Sequence, residues 1–397
     1  MRAARNLPLR AHRFRAAIAT VLFVASNADA QPPHAALQAK LQAKLDSLHS
    51  LGRFPGATFA AALPNGDVIA IATGMSDTAL KLRMKPTDLM PSGSTGKTYV
   101  SALAMQLVHE GKLDLNAPIS KYLGTEPWFS RLPNSADITV RQLMTHTSGL
   151  VRYEFNERFT ADLTKAPADK VWNPRDLIAY IFDTQAPFKA GEGWDYSDTN
   201  YMVLGIILEK ITGATMNGEI QRRVVGPLKL TQTVPNASAR VPGIVQGYAG
   251  ANNPFGGTDA MLTNGAFAFN PAFEWAGGGW SSTTADLVRW AKALYEWKVF
   301  DASLSSRFLD GAAARLGQGA RYGLGVIMMP ASPIAPALGE SIGHSGFFPG
   351  YQTEMRYYPA HNIAVALQIN TSVGRAIPRG MAGATSELAA IILEGKE

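Results

Sequence analysis

The chain has 397 residues, of which 37 are Lys or Arg, 31 are Asp or Glu and none is Cys. The lack of cysteine excludes disulfide bonds, thiolate catalysis and cysteine-ligated metal sites. The formal net charge of +6 is weak support for nucleic-acid binding, because residues 1–30 hold five arginines and one aspartate and the remainder carries only +2.

The N-terminal segment has the features of an export signal. Five arginines lie within the first 15 residues, an apolar run covers residues 16–25, and Ala28-Asp29-Ala30 matches an A-x-A cleavage site. The apolar run is too short for a membrane-spanning helix. The sequence therefore predicts a signal peptide over residues 1–30 and a periplasmic or secreted protein. The alternative is an uncleaved signal anchor.

Strand patterns occur near both ends of the chain, and helical patterns lie between them. Residues 58–63 and 68–73 flank Pro64-Asn65-Gly66-Asp67, which predicts a β-hairpin. Residues from about 86 to 297 are predicted to form mostly helices and long loops. Further predicted elements are strands at 322–329, 352–358 and 363–369 and a helix at 386–393.

This order predicts an α+β fold rather than alternating βαβ units. We expect an antiparallel sheet formed by both chain ends with flanking helices, plus a large central helical lobe. Residues 31–397 are predicted to form a single domain. A cleft between sheet and lobe is a common place for a binding site.

The segment Ser94-Thr95-Gly96-Lys97 begins a predicted helix with apolar residues at positions 100, 103, 104, 107 and 108. A spacing of three places the Ser94 hydroxyl and the Lys97 amine on one side of the helix. A serine becomes a good nucleophile only when a base takes its proton, and a partly buried lysine can lose its charge and assist.

Two other interpretations compete for this segment. The first is an ordinary Ser N-cap followed by a solvated lysine. The second is the end of a phosphate-binding loop, which is disfavoured because Pro91 stands where that motif needs glycine.

Two further short motifs carry candidate site residues. Tyr196-Ser197-Asp198 precedes a predicted helix at 202–212, with Ser197 or Asp198 as its N-cap. His344-Ser345-Gly346 is predicted to start or edge a late strand, where the glycine permits close approach of a substrate. Taken alone, the first motif also fits a buried core tyrosine. The second motif taken alone also fits an ordinary loop histidine.

The three motifs together resemble the serine β-lactamase and penicillin-binding-protein superfamily. Ser94-x-x-Lys97, Tyr196-x-Asp198 and His344-x-Gly346 occur in the order typical of its branch of class C β-lactamases, D-Ala-D-Ala carboxypeptidases, esterases and D-amino-acid amidases. Residues 107–115, 143–150 and 278–279 are similar as well. The resemblance covers nearly all of the chain after residue 30 and implies the fold of that family.

The resemblance also implies roles for individual residues. Ser94 is expected to attack a carbonyl group and become acylated, with Lys97 assisting in removal of its proton. Tyr196 is expected to act as general base in acylation and to pass the proton to the leaving group. The backbone N–H groups of Ser94 and Phe347 are expected to form an oxyanion hole. No metal ion or organic cofactor is expected.

Four further residues are expected to contact the substrate: Asp198, His344, Ser345 and Gly346. Asp198 departs from the family pattern, which commonly has asparagine there, and its carboxylate either weakens recognition of an amide or pairs with Lys97. His344 replaces the lysine of β-lactamases. A histidine is mostly neutral near pH 7 and gains charge as the pH falls.

These departures favour the peptidase and esterase members of the branch. The predicted activity is that of a D-Ala-D-Ala carboxypeptidase or D-amidase. The alternatives are a carboxylesterase, a class C-like β-lactamase and a non-catalytic relative that binds peptidoglycan stem peptides. The predicted partner is a small-molecule or peptide substrate, with no nucleic acid and no membrane span after cleavage.

Overall fold

The structure is a computed structural model that describes residues 34–250, 253, 259–374 and 376–394. The predicted signal peptide, residues 1–30, lies outside the described residues. Contacts divide the chain into the units Met1–Ala35 and Ala36–Glu397, and every strand of the described residues belongs to the second unit. Across the ranges described, no helix combines the length and apolar character needed to cross a membrane.

The strands of the second unit are short at its centre and long near its ends. Their bounds are β1 Gly56–Ala62, β2 Val68–Asp77, β3 Leu82–Arg83, β4 Met90–Pro91, β5 Val234–Pro235, β6 Leu262–Thr263, β7 Ala266–Phe267, β8 Trp280–Ser282, β9 Ala312–Ala313, β10 Arg321–Tyr322, β11 Ile327–Met329, β12 Ser341–Phe348, β13 Tyr351–Tyr358 and β14 Ile363–Ile369.

The helices concentrate between β4 and β9, with one at each end of the described chain. Their bounds are α1 Ala35–Leu51, α2 Lys97–His109, α3 Ser120–Leu123, α4 Val140–Met144, α5 Glu157–Lys165, α6 Pro174–Ile178, α7 Asp198–Thr212, α8 Met216–Ile220, α9 Trp275–Gly278, α10 Thr284–Tyr295, α11 Ser305–Leu309 and α12 Gly380–Glu394. This arrangement confirms the predicted α+β fold and the central helical lobe.

Nine strands form one antiparallel sheet in the order β3-β2-β1-β14-β13-β12-β11-β10-β9. The predicted hairpin is β1 and β2, in which Ala57 pairs with Thr73. On its other side β1 pairs with β14, where Ala57 faces Ile369. An early strand and the last strand of the described chain therefore lie side by side within the sheet, as the sequence predicts.

Successive side chains of a strand point to opposite faces of the sheet, and the two faces pack into separate apolar clusters. On one face, Phe59 and Leu367 pack with the leucines of α1 and with α12. On the other face, Ala60 and Ala366 join the cluster that contains Leu287 and Trp290 of α10 and extends through the helical lobe. Every residue of β1 and β14 is buried because both faces are covered.

One predicted strand is interrupted. The sequence predicts a single strand over 322–329, but the structure has β10 and β11 with a turn between them. Gly325 has φ of +83°, and a Cβ there would lie 1.9 Å from Ser101 Oγ. The chain therefore turns where only glycine fits against α2.

Candidate active site

Ser94 lies in the 3₁₀ turn Gly93–Gly96, which leads directly into α2. The apolar face of α2 is buried in the lobe, and Gly111 follows its end with φ of +69°. The buried helix holds Lys97 one turn from the serine. Lys97 Nζ donates a hydrogen bond to Ser94 Oγ at 3.0 Å, as the spacing of three predicts.

Lys97 is fully buried and uses all three of its ammonium protons. Besides Ser94 Oγ, the Nζ contacts Asp198 Oδ1 and the carbonyl oxygen of Gly277. Burial disfavours the charged amine, but Asp198 and Tyr196 together outweigh burial, so the pKa of Lys97 lies above its ordinary value. The sequence-based expectation of a lysine that loses its charge is not met, and the alternative pairing with Asp198 is observed.

Tyr196 completes the group around Ser94. Lys97 Nζ lies 4.8 Å from the centre of the Tyr196 ring. The Tyr196 hydroxyl is buried, and no hydrogen bond of normal geometry joins it to a described residue, although Ser94 and Lys97 both influence its titration. Burial raises the pKa of Tyr196 and the Lys97 charge opposes the rise, with a net increase. Tyr196 and Lys97 are therefore both protonated before substrate binds.

Asp198 connects this group to a second cation. Its Oδ2 is 3.4 Å from Arg152 Nη2, and Arg152 Nε donates to Glu154 Oε1 at 2.6 Å. Burial raises the pKa of Asp198, but Lys97 and Arg152 outweigh it and the pKa falls below its usual range. Asp198 therefore stays ionised as the shared anion of two cations. It begins α7, whose N-cap Ser197 donates to the Val151 carbonyl rather than capping the helix.

A further carboxyl group lies near Asp198. Glu274 precedes α9, and its Oε2 is close enough to Gly278 that a Cβ there would lie 2.8 Å from it. Burial, followed by the charge of Asp198, raises the pKa of Glu274 to about 8. Glu274 is therefore mostly a neutral acid at pH 7, so the ion pairs of Lys97 and Arg152 are not crowded by a second full negative charge.

His344 is buried within β12 and has two hydrogen bonds. Its Nδ1 lies 2.6 Å from the carbonyl oxygen of Ser345, and its Nε2 lies 2.9 Å from Tyr322 Oη. Because a carbonyl only accepts, Nδ1 carries the proton and Nε2 accepts from the Tyr322 hydroxyl. Burial, aided by the charge of Lys97, lowers the pKa of His344 to about 3. Burial therefore opposes the expected gain of charge on mild acidification.

The buried position of His344 also changes its expected part in the site. The residue is 1% exposed, and both ring nitrogens are already bonded within the protein. The structure thus makes His344 a support of β12 instead of the direct substrate contact that the sequence predicts. Ser345 is half-buried, and its Oγ lies 3.1 Å from Arg356 Nη2.

The backbone of β12 lies directly against the turn that carries Ser94. A Cβ on Gly346 would lie 1.9 Å from the carbonyl oxygen of Ser92, and one on Gly93 would lie 2.6 Å from the backbone nitrogen of Phe347. Neither position accepts a larger residue without separating the two elements. Strand β11 pairs with β12 only up to Gly343, so in the described part of the chain the Phe347 edge has no strand neighbour on that side.

The structure brings together the predicted residues Ser94, Lys97, Tyr196 and Asp198 and places the β12 motif against them. Sequence reasoning missed Arg152, Glu154, Glu274 and Tyr322. Since these positions have no spacing relation to the three motifs, no local signal identifies them. Sequence reasoning also did not single out His146, a fifth residue of the site. His146 lies within residues 143–150, and the resemblance of that segment to the superfamily was the one signal that pointed to it.

His146 holds the segment that carries Tyr196. Its Nδ1 accepts from the backbone N–H of Ser197 at 3.2 Å, and Asn200 Nδ2 lies 3.1 Å from the same nitrogen. The rings of His146 and Tyr196 pack with centroids 4.2 Å apart. Burial, reinforced by Lys97, lowers the pKa of His146 well below its ordinary value, so the ring remains a neutral acceptor.

Two curated proteins are similar to this chain in sequence. Penicillin-binding protein 4* of Bacillus subtilis is 24% identical over 330 residues, which are 81% of this chain and 69% of that protein. Protein flp of Staphylococcus aureus strain N315 is 29% identical over 187 residues, so the match spans 46% of this chain and only 35% of that protein.

A solved structure and a family model extend the comparison. The structure of a D-stereospecific amidohydrolase from Streptomyces sp. matches with a TM-score of 0.73 and 25% identity, covering 90% of this chain and 98% of that one. The model of the Beta-lactamase family matches residues 37–389. The match includes the Ser94 turn, the Tyr196 segment and strand β12. The chain therefore belongs to the Beta-lactamase family of serine hydrolases.

Proposed function

We propose that this chain is an exported hydrolase that cleaves an amide or ester through an acyl-enzyme on Ser94, with D-Ala-D-Ala carboxypeptidase or D-amidase activity. The observation that carries the proposal is the 3.0 Å contact between Ser94 Oγ and the buried Lys97 ammonium, with the Tyr196 ring beside it. Similarity to the Streptomyces D-stereospecific amidohydrolase supports the amide class.

The protonation states define how the first step proceeds. Ser94 Oγ forms a bond to the substrate carbonyl carbon while the Ser94 proton passes to the Tyr196 oxygen. Tyr196 gives its own proton to the leaving nitrogen or oxygen as the bond from that atom to the carbonyl carbon breaks. Such a relay needs no free phenolate, which agrees with the raised pKa of Tyr196.

Charge stabilisation and the second step follow from the same groups. The N–H groups of Ser94 and Phe347 are proposed to bind the carbonyl oxygen as it becomes negative. Lys97 remains a cation that stabilises the anionic intermediates. In deacylation a water attacks the ester, its proton passes to Tyr196, and Tyr196 returns a proton to Ser94 Oγ. Tyr196 thus takes up one proton and releases one in each step, so it returns to the neutral phenol both times.

A parallel rate assay tests the proposal. The substrates are a D-Ala-D-Ala peptide, a D-amino-acid amide, a 4-nitrophenyl ester and a chromogenic cephalosporin. We expect hydrolysis of the peptide or the amide, together with a fluorophosphonate adduct on Ser94 by mass spectrometry. If no substrate is cleaved and no adduct forms, the chain is a non-catalytic binding relative and the proposal is overturned.

Carboxylesterase activity is the second candidate, and one observation favours it. The neutral, buried His344 offers no fixed positive charge to a substrate carboxylate from β12. Cleavage of the neutral ester alone would select this activity, whereas efficient cephalosporin turnover would select a class C-like β-lactamase. Export rests on residues 1–30, and N-terminal sequencing of the secreted protein should begin at residue 31.

A further inference from the structure

A cavity of about 440 Å³ opens beside Tyr196. Its volume falls within the range of small-molecule sites. Its walls are formed by Arg152, Phe155, Trp194, Arg315 and Leu316 around Tyr196. Tyr196 links this cavity to the group around Ser94, because its ring centre lies 4.8 Å from Lys97 Nζ.

Apolar surface is exposed at the mouth of this cavity. Phe155 is 64% exposed and Leu316 is 39% exposed, although both are large apolar side chains. The guanidinium of Arg152 stacks over the Phe155 ring with its carbon 4.1 Å from the ring centre. Exposed apolar side chains that border a cleft are typical of ligand contact. The walls therefore fit a flat apolar group.

The charges that line the cavity favour an anion at the end of that group. Two arginines, Arg152 and Arg315, line the cavity, and Asp195 is the acidic residue in the lining. Arg152 is engaged by Glu154 and Asp198 through Nε and Nη2. Arg315 is exposed, and within the described ranges no hydrogen bond or ion pair engages its guanidinium.

The buried groups behind the cavity do not cancel this positive charge. Lys97 and Arg152 share the ionised Asp198. Burial raises the pKa of Glu154, the other partner of Arg152, well above its ordinary value, and Glu274 is mostly neutral at pH 7 because its pKa is raised to about 8. The nearby His344 is neutral as well. A carboxylate that enters the cavity thus meets Arg315 with few competing anions.

We propose that this cavity binds a substrate portion with an apolar body that ends in a carboxylate, and that Arg315 is the specificity-determining residue. The inference deepens the proposed function and rests on it. It narrows the substrate to amides and esters that carry a negative charge at some distance from the bond that is cleaved.

Two matched series of esters test this assignment. The acyl series consists of 4-nitrophenyl phenylacetates with a para-carboxylate, a para-carboxamide or a para-trimethylammonium group. The leaving-group series compares phenylacetate esters of 3-carboxy-4-nitrophenol and 4-nitrophenol. The quantity measured is the ratio of kcat/KM for the carboxylate ester to that for the neutral ester. Differences in active fraction cancel in this ratio because both esters are measured on one preparation.

Three variants of the full chain are compared with the wild type. Arg315→Gln should lower the ratio roughly two- to fivefold in one series, mainly through KM, as for a partly exposed ion pair. Asp195→Asn should raise the ratio by a similar factor. Arg321→Gln is the matched control, because Arg321 lies on neighbouring β10, bonds the Gly311 carbonyl and does not line this cavity. It should leave the ratio unchanged.

The possible outcomes distinguish a failure of the Arg315 assignment from a failure of the proposed hydrolase function. An unchanged ratio in Arg315→Gln in both series, an equal fall in Arg321→Gln, or a preference for the trimethylammonium ester overturns the role of Arg315 while hydrolysis itself persists. Absence of hydrolysis together with no fluorophosphonate adduct on Ser94 overturns the proposed function, and this inference with it. A fall that is suppressed by high salt supports the charge-based explanation.

Discussion

Asp198 and Lys97 form a buried ion pair directly behind the serine hydroxyl. The Asp198 carboxylate keeps Lys97 charged, and the Lys97 ammonium keeps Asp198 ionised, so each residue shifts the pKa of the other away from neutrality. Lys97 then holds Ser94 Oγ through its remaining donor at 3.0 Å. The Ser94 hydroxyl is thus oriented by a buried cation, and the proposed proton transfer is assigned to Tyr196.

Replacement of the nucleophile should abolish activity. Ser94→Ala is expected to lower kcat/KM for every substrate by roughly a thousandfold or more, because no acyl-enzyme can form. Intact-mass measurement after fluorophosphonate treatment should show no adduct. Ser92→Ala is the control in the same turn. Ser92 Oγ bonds the Trp280 carbonyl, so its loss should reduce stability but leave the adduct on Ser94. Full activity of Ser94→Ala would exclude the assignment.

Lys97 and Tyr196 should behave as one unit. Lys97→Ala removes the cation that orients Ser94, and Tyr196→Phe removes the proton relay, so each is expected to eliminate most of the activity. The double variant should be little worse than either single variant, since groups that serve one step are strongly non-additive. A double-mutant cycle in kcat/KM measures this. Effects that multiply would show that the two residues act independently.

The half-buried Glu274 should make the free energy of unfolding depend on pH. Its pKa is raised to about 8 in the folded chain, so the folded state holds a proton that the unfolded state releases. Its contribution is therefore present at low pH and is lost as the pH rises from about 4.5 to 8. Glu274→Gln should flatten the dependence of the free energy of unfolding on pH over this range. At pH 9 it should stabilise the fold by roughly 1–2 kcal/mol. This gain is smaller than a fully buried carboxylate would give, because the side chain is only partly enclosed.

Chemical denaturation at several pH values measures this effect, and Glu296→Gln supplies a matched control. Burial raises the pKa of Glu296, but Lys292 and Lys298 outweigh burial, so its pKa lies below the ordinary value. The control variant should therefore lose stability above pH 5 instead of gaining it. Identical pH profiles for wild type and Glu274→Gln would contradict the raised pKa.

The ring of His344 should stay neutral, with its proton on Nδ1, between pH 5 and 8. Burial lowers its pKa to about 3, and the Ser345 carbonyl accepts the Nδ1 proton. Nitrogen-15 NMR of labelled histidines distinguishes both tautomers from the imidazolium form. Tyr322→Phe should perturb the Nε2 signal, because that nitrogen then loses its donor, and should reduce kcat several-fold by loosening β12. A midpoint near pH 6.5 would contradict this environment.

Short-range patterns in the sequence were sufficient for much of the fold. The β1–β2 hairpin, strand β14 and helix α2 all lie where alternation or helical spacing predicts them. These elements are local, since each depends on residues within about ten positions. The order of the three motifs then indicated the family, and the structure brings the same residues together.

Local patterns were insufficient where distant residues compete. The predicted 322–329 strand is broken because Gly325 must fit against Ser101, more than 200 positions earlier. The expectation of a lysine without charge was also wrong, because Asp198 and Tyr196 together outweigh the effect of burial on the pKa of Lys97, and both lie about 100 positions away in the sequence.

The sequence by itself determined the fold class and the family, and it identified Lys97, Tyr196 and Asp198 as neighbours of Ser94. Only the tertiary structure decided their charge states: a protonated Lys97, an ionised Asp198 and a neutral His344. It also placed Arg315 beside Tyr196 in one cavity. The physical reason is that a pKa reflects burial and all nearby charges in space, and these depend on which remote segments pack together.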